Sequence, residues 1–310
     1  MRDRIFIQIA SYRDPELVPT LRDCIGKAER PDLLTFGIAW QHDGSETLAE
    51  FAGDPRLRLF TCHWRESLGV CWARHQLQKL YDGERYTLAL DSHHRFASGW
   101  DRALRDQFAA LPSDKPVLTG YLPAYTPPNR LGPRQRWVFK AVEFNAAGDL
   151  LFAPFADQRR FFPPSRPARA RFLSAHFTFA AGGFLADCGH DPKLYFHGEE
   201  ITLAVRAYTH GYDLFHPGKP VIHHHYKRPG APKHWDDHAE IYGQTISALL
   251  LNSLSKWRVR QLLGMEKVTQ EFGRFGVGAQ RSLSDYERYA GINFAERWVS
   301  EAARKGLEPS

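Results

Sequence analysis

Tyr86-Thr-Leu-Ala-Leu-Asp-Ser-His-His-Arg-Phe96 is the stretch on which the reading of this chain turns. An apolar run stops at Asp91, and His93 follows two positions later. Residues i and i+2 of a strand point to the same face. The Asp91 carboxylate and the His93 imidazole therefore come side by side where a buried strand meets solvent. A hard oxygen ligand beside a nitrogen ligand suits a divalent cation such as Mn2+ or Mg2+. On a lone Asp-x-His the plainer reading is an aspartate that ends a strand in a turn, with His93 an ordinary surface residue. The surrounding chain has to decide.

Upstream, Arg4-Ile-Phe-Ile-Gln-Ile-Ala10 reads as a strand buried on both faces, the parallel-sheet type. Asp14-Pro15 reads as an N-cap followed by a first-turn proline, and Leu17, Leu21, Cys24, Ile25 and Ala28 mark the face of the helix it opens. Residues 33–40 form a second predicted strand, running into Gln41-His42-Asp43-Gly44, and a short acidic helix leads to a third strand over 57–62. A helix from Gly69 to Tyr81 is stopped by Asp82-Gly83, just before the strand that ends at Asp91. This alternation predicts a mostly parallel sheet with helices on both faces. Such sheets bind ligands at the carboxyl ends of their strands. Ser11–Arg13, Gln41–Asp43 and Asp91–His93 all lie at those ends, so the fold gathers them into one crevice.

Downstream, strands are predicted over 117–121, 136–142, 150–155 and 172–184, divided by proline-bearing loops, as a mixed extension of the sheet. The loop from Gln158 to Arg171 holds five arginines and reads as solvated or acceptor-facing, since it lacks the interleaved aromatics of a nucleic-acid reader. Phe196-His-Gly-Glu-Glu200 opens a helix that His210-Gly211 closes. Glu199 and Glu200 fall in its first turn, where they either offset the helix dipole or accept hydrogen bonds from a sugar or acceptor hydroxyl. In the strand over 220–226, Val221, His223 and His225 share a face and His224 points the other way. A helix over 239–263 and another opening at Arg281-Ser-Leu-Ser-Asp-Tyr286 form a C-terminal helical appendage, with no Pro/Ser linker to detach it.

The totals set limits. A chain of 310 residues, 43% hydrophobic and 25% charged, buries a full core. Its net charge of +6, from 41 basic and 35 acidic residues, suits phosphorylated ligands, but no dense Lys/Arg block marks a nucleic-acid partner. Fifteen histidines favour metal chemistry. Cys24, Cys62, Cys71 and Cys188 lack C-x-x-C spacing, so reduced thiols and a cytoplasmic location are expected. A strand that begins by Ile5 leaves no room for a signal peptide, and no window approaches ~18 apolar residues, so no transmembrane segment is expected.

Gly69-Val-Cys-Trp-Ala-Arg-His75, Leu80-Tyr-Asp-Gly-Glu84 and Leu90-Asp-Ser-His-His-Arg-Phe96 together resemble the cytosolic GlcNAc-type glycosyltransferases, whose founding members modify hydroxyproline on a ubiquitin-ligase subunit in protists. Ile7-Gln-Ile-Ala-Ser-Tyr-Arg-Asp-Pro-Glu-Leu17, Phe196-His-Gly-Glu-Glu-Ile-Thr-Leu-Ala-Val-Arg-Ala-Tyr-Thr-His-Gly-Tyr212 and Arg281-Ser-Leu-Ser-Asp-Tyr-Glu-Arg-Tyr-Ala-Gly291 extend the resemblance nearly end to end. That family is similar in turn to the polypeptide GalNAc-transferases, which share a GT-A fold, an Asp-x-His metal motif and retention of anomeric configuration.

The resemblance implies an α/β GT-A fold: a catalytic domain over 1–240, divided into a nucleotide-binding half (1–120) and an acceptor and metal half (121–240), with 241–310 as a helical extension packed on it. It implies a metal-dependent retaining transfer of a sugar, GlcNAc by family expectation, from a UDP-sugar to a hydroxyl on a glycan or protein. Ser11, Tyr12 and Arg13 would line the nucleoside pocket, with Asp43 near the base. Arg74, Asp91 and Ser92 would hold the donor. Asp91 and His93 would hold Mn2+, or Mg2+, with His225 as third ligand, because it precedes Arg228 by the spacing found in the GalNAc-transferases. Glu199 or Glu200 would contact the transferred sugar or the acceptor. The competing reading is a metal-dependent hydrolase that uses the same Asp and His residues to activate water.

Overall fold

The computed structural model describes residues 3–157, 167–241 and 248–309. Strands β1 (Ile5–Tyr12), β2 (Leu34–His42), β3 (Leu57–His63) and β4 (Tyr86–Asp91) alternate with helices α1 (Leu17–Lys27) and α2 (Val70–Gln78). β1 lies between β2 and β4 and is parallel to both, and β3 is parallel to β2. Ile5, Ile7 and Ile9 are buried together with Phe6, so β1 is covered on both faces, as its unbroken apolar character requires. The short β5 (His94–Phe96) turns away from the sheet ahead of α3 (Trp100–Ala109).

Beyond β4 the sheet becomes mixed. β6 (Pro116–Thr119) is followed by two hairpins, β7 (Tyr125–Thr126) with β8 (Arg130–Leu131), and β9 (Trp137–Phe144) with β10 (Leu150–Ala156). β11 (Ala168–Arg169), β12 (Phe177–Ala181) and β13 (Asp213–His216) complete an eight-stranded sheet in the order β11-β13-β6-β12-β4-β1-β2-β3. β12 is antiparallel to both β4 and β6. The mostly parallel, mixed sheet expected from the sequence is therefore present. The strand expected over 172–184 is shorter: only Phe177–Ala181 pairs, and α4 (Phe184–Cys188) begins where the pairing ends. Most of the arginine-bearing loop, 158–166, lies outside the described residues.

α5 (Glu199–Thr209) carries the paired acids in its first turn. It starts at Gly198, with φ +90°, where a Cβ would come within 2.3 Å of Val259 Cγ2. Glycine is required there both for the left-handed backbone and for the approach of the later helix. β14 (Ile222–His224) leaves the main sheet and pairs antiparallel with β5, which sets His224 opposite His94. α6 (His234–Ile241) begins five residues before the helix expected over 239–263, and α7 (Ala248–Leu262) lies within that span; 242–247 lie outside the described residues. α8 (Leu283–Ala290), the β15 (Ile292–Asn293) and β16 (Trp298–Val299) hairpin, and α9 (Glu301–Arg304) form the C-terminal part. Ser282 and Asp285 close a reciprocal capping box at the start of α8. Tyr286, Tyr289, Phe294 and Val299 share one core with Phe139 of β9, Phe172, and Leu203 and Val205 of α5. All four cysteines are free and buried. Among the described residues no helix is long and apolar enough to cross a membrane.

Candidate active site at the ends of β1, β2 and β4

Asp91, His93 and His224 converge at the carboxyl end of β4, with one potential ligand atom from each lying within 4.8 Å of the others. His224 Nε2 is 3.2 Å and His93 Nε2 3.6 Å from Asp91 Oδ2. The pairing of β14 with β5 turns His224 toward this point. His223 instead reaches Gly132 O at 3.3 Å, and the His225 ring packs against Tyr125 with centroids 5.4 Å apart. Of the three histidines it is His224, and not the expected His225, that stands beside Asp91 and His93. His224 points opposite to its two neighbours, as the alternation along the strand predicts.

The chemistry of this set fits a divalent cation. Burial would raise the Asp91 carboxyl, but His224, Arg74 and His93 outweigh it and hold the group well below the usual carboxylate range. Burial pushes His224 down to about 3, so its imidazole is neutral, the form that ligates. His224 Nδ1 is buried with no hydrogen-bond partner. His93 Nδ1 stands 2.7 Å from Asp14 Oδ2, which fixes the proton on Nδ1 and leaves the Nε2 lone pair facing Asp91 and His224. Such carboxylate–histidine pairs orient metal ligands and raise their basicity.

Asp14 was expected to cap α1. The helix instead begins at Leu17 without a side-chain cap, and the buried Asp14 spends one oxygen on His93, Ser92 Oγ (2.6 Å) and Arg228 Nη1 (2.9 Å). Its other oxygen accepts from Glu16 N. Ser92 therefore lines the crevice but directs its hydroxyl to Asp14. The signal available in the sequence was the spacing of Asp14 after a buried strand, which equally describes an N-cap.

Two crevices meet at Asp91. The first, about 360 Å³, is lined by Tyr12 and Gln41 from the strand ends, by His93 and His224, and by Lys233 and Trp235 from α6 and the turn before it. The second, about 340 Å³, is lined by Arg74, Tyr121, His176, Glu199 and Glu200. Val70, Asp91 and Phe196 border both.

In the first crevice the expected nucleoside residues separate. Tyr12 faces the space and donates to Asp237 Oδ2 at 2.8 Å. Ser11 is fully buried behind it. Arg13 is held by Asp43 (3.0 Å) and Asp237 (2.9 Å) and lies 4.7 Å over the Trp64 ring. Asp43 is occupied by Arg13 and Ser45, so the strand-end residue of β2 that lines the crevice is Gln41, whose Oε1 is buried and unpartnered. Asp237 was not anticipated, because nothing in its local sequence shows that α6 folds back over β1.

In the second crevice Arg74 is fully buried and spans two carboxylates, Asp91 Oδ1 at 2.7 Å and Glu199 Oε1 at 3.2 Å. Glu200 accepts from Ala175 N at 2.9 Å, and burial pushes its carboxyl up to about 7. The paired acids thus differ in surroundings: Glu199 faces the Arg74 guanidinium and Glu200 a backbone N–H. His176, absent from the sequence-based set, stacks on His224 with ring centroids 4.4 Å apart and is held by Ser174 Oγ at 2.7 Å.

A sequence profile of the family described as Glycosyltransferase (GlcNAc) matches residues 4–54 and 49–296. A search of curated proteins gives no match. Among solved structures, that of GalNAc-T7 with UDP, GalNAc and Mn2+ aligns with a TM-score of 0.59 at 14% identity, covering 92% of this chain and 54% of that one. This chain thus spans about half the length of the GalNAc-T7 chain, and the likeness shows a common GT-A fold. The structure of S. aureus TarS 1-349 with UDP-GlcNAc aligns at a TM-score of 0.48 and 11% identity, covering 88% of this chain and 78% of that one.

Proposed function

The chain belongs to the Glycosyltransferase (GlcNAc) family, and from that premise we propose that it transfers a sugar, GlcNAc first among candidates, from a UDP-sugar to a hydroxyl of a glycan or protein. The observation that carries this reading is the placement of Asp91, His93 and His224 at the junction of two crevices. GalNAc-T7, which shares the fold, was crystallised with UDP, GalNAc and Mn2+. We assign the first crevice to the nucleotide and the second to the sugar and acceptor.

Asp91, His93 and His224 would hold Mn2+ or Mg2+, which when bound supplies Lewis-acid neutralisation of charge on the departing diphosphate. Arg74 keeps Asp91 anionic. Lys233 and Arg228 border the first crevice and bring positive charge to the diphosphate. Gln41 and Tyr12 bound the space for the base. In the second crevice Glu199 and Glu200 face the sugar and the incoming hydroxyl.

Transfer with retention forms the bond from the anomeric carbon to the acceptor oxygen on the face from which the phosphate oxygen leaves. The acceptor proton passes to that phosphate oxygen, so no protein nucleophile is required. The free, buried cysteines agree with a reducing compartment such as the cytoplasm.

Calorimetry of UDP and UMP with and without Mn2+, followed by hydrolysis assays over a panel of UDP-sugars, tests the proposal. Mn2+-dependent UDP binding and slow release of one sugar are expected. Absence of Mn2+-dependent UDP binding would sink the transferase reading and return the site to the hydrolase alternative.

A further inference from the structure

His190 lies on the turn between α4 and α5, outside every motif considered so far, and it is buried. Its Nε2 stands 2.8 Å from Glu199 Oε1. Its backbone N–H donates to Gln78 Oε1 at 2.9 Å, and its Nδ1 is 2.7 Å from Gln78 Nε2. The two contacts fix one another. The Gln78 carbonyl oxygen must face the backbone N–H, so the Gln78 amide nitrogen faces the ring and can only donate to Nδ1. Gln78 Nε2 also donates to Gln8 Oε1 at 2.8 Å, and Gln8 Nε2 donates to Thr87 Oγ1 at 2.6 Å, which orients the relay from its far end. The imidazole proton is left on Nε2, the ring nitrogen that stands 2.8 Å from Glu199 Oε1.

The turn is braced on both sides of the histidine. Arg206 Nη1 donates to Gly189 O at 2.7 Å, and Arg258 Nε donates to Asp191 Oδ2 at 2.6 Å. Glu199 Oε1 is approached by His190 Nε2 and by Arg74 Nε, and neither contact uses Oε2.

We propose that His190 is a positioning residue that, oriented by Gln78, fixes the Glu199 carboxylate so that its second oxygen accepts a hydroxyl of the transferred sugar. This deepens the transferase reading and rests on it. The proposal gives a buried polar chain, Gln8–Gln78–His190–Glu199, a role in recognising the sugar half of the donor and none in recognising the nucleotide.

Asparagine and glutamine at position 190 separate the two halves of the histidine's function. The Asn amide oxygen reaches the place of Nδ1 and can accept from Gln78, and the Gln amide nitrogen reaches the place of Nε2 and can donate to Glu199. In the full chain with Mn2+, we expect His190→Asn to raise KM for UDP-GlcNAc hydrolysis about tenfold, the effect of leaving a buried charged group short of one partner. UDP affinity by calorimetry should stay within about twofold. His190→Gln should restore KM to within about threefold of the unsubstituted protein. Gln78→Met gives the same sugar-selective loss by another route and serves if His190→Asn does not fold.

Equal KM for all variants would overturn the proposal, as would a parallel loss of UDP affinity, which marks a merely structural role. If the unsubstituted protein binds no UDP, the transferase reading itself has failed, which is a different result.

Discussion

Asp14 Oδ2 stands 2.7 Å from His93 Nδ1, although the two residues lie far apart in the chain and on different strand ends. This contact fixes which imidazole nitrogen faces Asp91 and His224. Removing it should therefore weaken a cation site whose ligands are all retained. Asp14→Ala is expected to lower Mn2+ affinity by about 10- to 100-fold, the usual cost of deleting a carboxylate behind a ligating histidine. Titration of the full chain with Mn2+ in the presence of UDP reads this directly, and unchanged affinity would refute the role given to Asp14.

The third ligand can be decided by a pair of neighbouring substitutions. His224→Ala should abolish the Mn2+-dependent part of UDP binding, whereas His225→Ala, which removes a ring packed on Tyr125, should leave it largely intact. The opposite result would restore the His-x-x-Arg spacing argument and require β14 to rotate.

Glu200 gives a pH signature. Its ordinary value is 4.5, and burial raises it to about 7 in the folded chain. An acid whose folded value is raised binds more protons folded than unfolded between those limits. The stability it contributes is full below about pH 4.5 and is lost as pH rises through 7. Glu200→Gln removes that loss. Its melting temperature relative to the unsubstituted protein should rise from pH 5 to pH 8, and a flat difference across that range would show that Glu200 is not perturbed.

How much of this was legible in the sequence follows the range of the interactions involved. Strand ends such as Asp91 and the first turn holding Glu199 are local events, set by where an apolar run stops and where Gly198 permits a helix to begin. Both were read from a few neighbouring residues. The choice between His224 and His225 depends on β14 pairing with β5 outside the main sheet, a contact between segments more than a hundred residues apart. The same holds for Asp237 reaching Tyr12 and for His190 reaching Glu199 through Gln78. Asp14 shows the limit most sharply: its neighbours make it an N-cap, and only the fold makes it a partner of His93.

The C-terminal part shares its apolar core with α5 and β9. Tyr286 on α8 is fully buried, and its hydroxyl donates to Arg171 O at 2.8 Å. Arg171 Nε in turn donates to Ala290 O at 2.9 Å, so α8 and the segment before β12 hold each other. We propose that 241–310 folds as one unit with the preceding chain. Tyr286→Ala removes a core ring and strands the Arg171 carbonyl, and should cost about 3–5 kcal/mol. Trp298, more than half exposed, should tolerate alanine within about 0.5 kcal/mol. Urea unfolding followed by tryptophan fluorescence and by circular dichroism should give one shared transition for both variants, displaced only for Tyr286→Ala. If the Tyr286→Ala chain instead shows an early transition confined to helix while the sheet unfolds at its former midpoint, the appendage is an independent unit and the shared core is not cooperative.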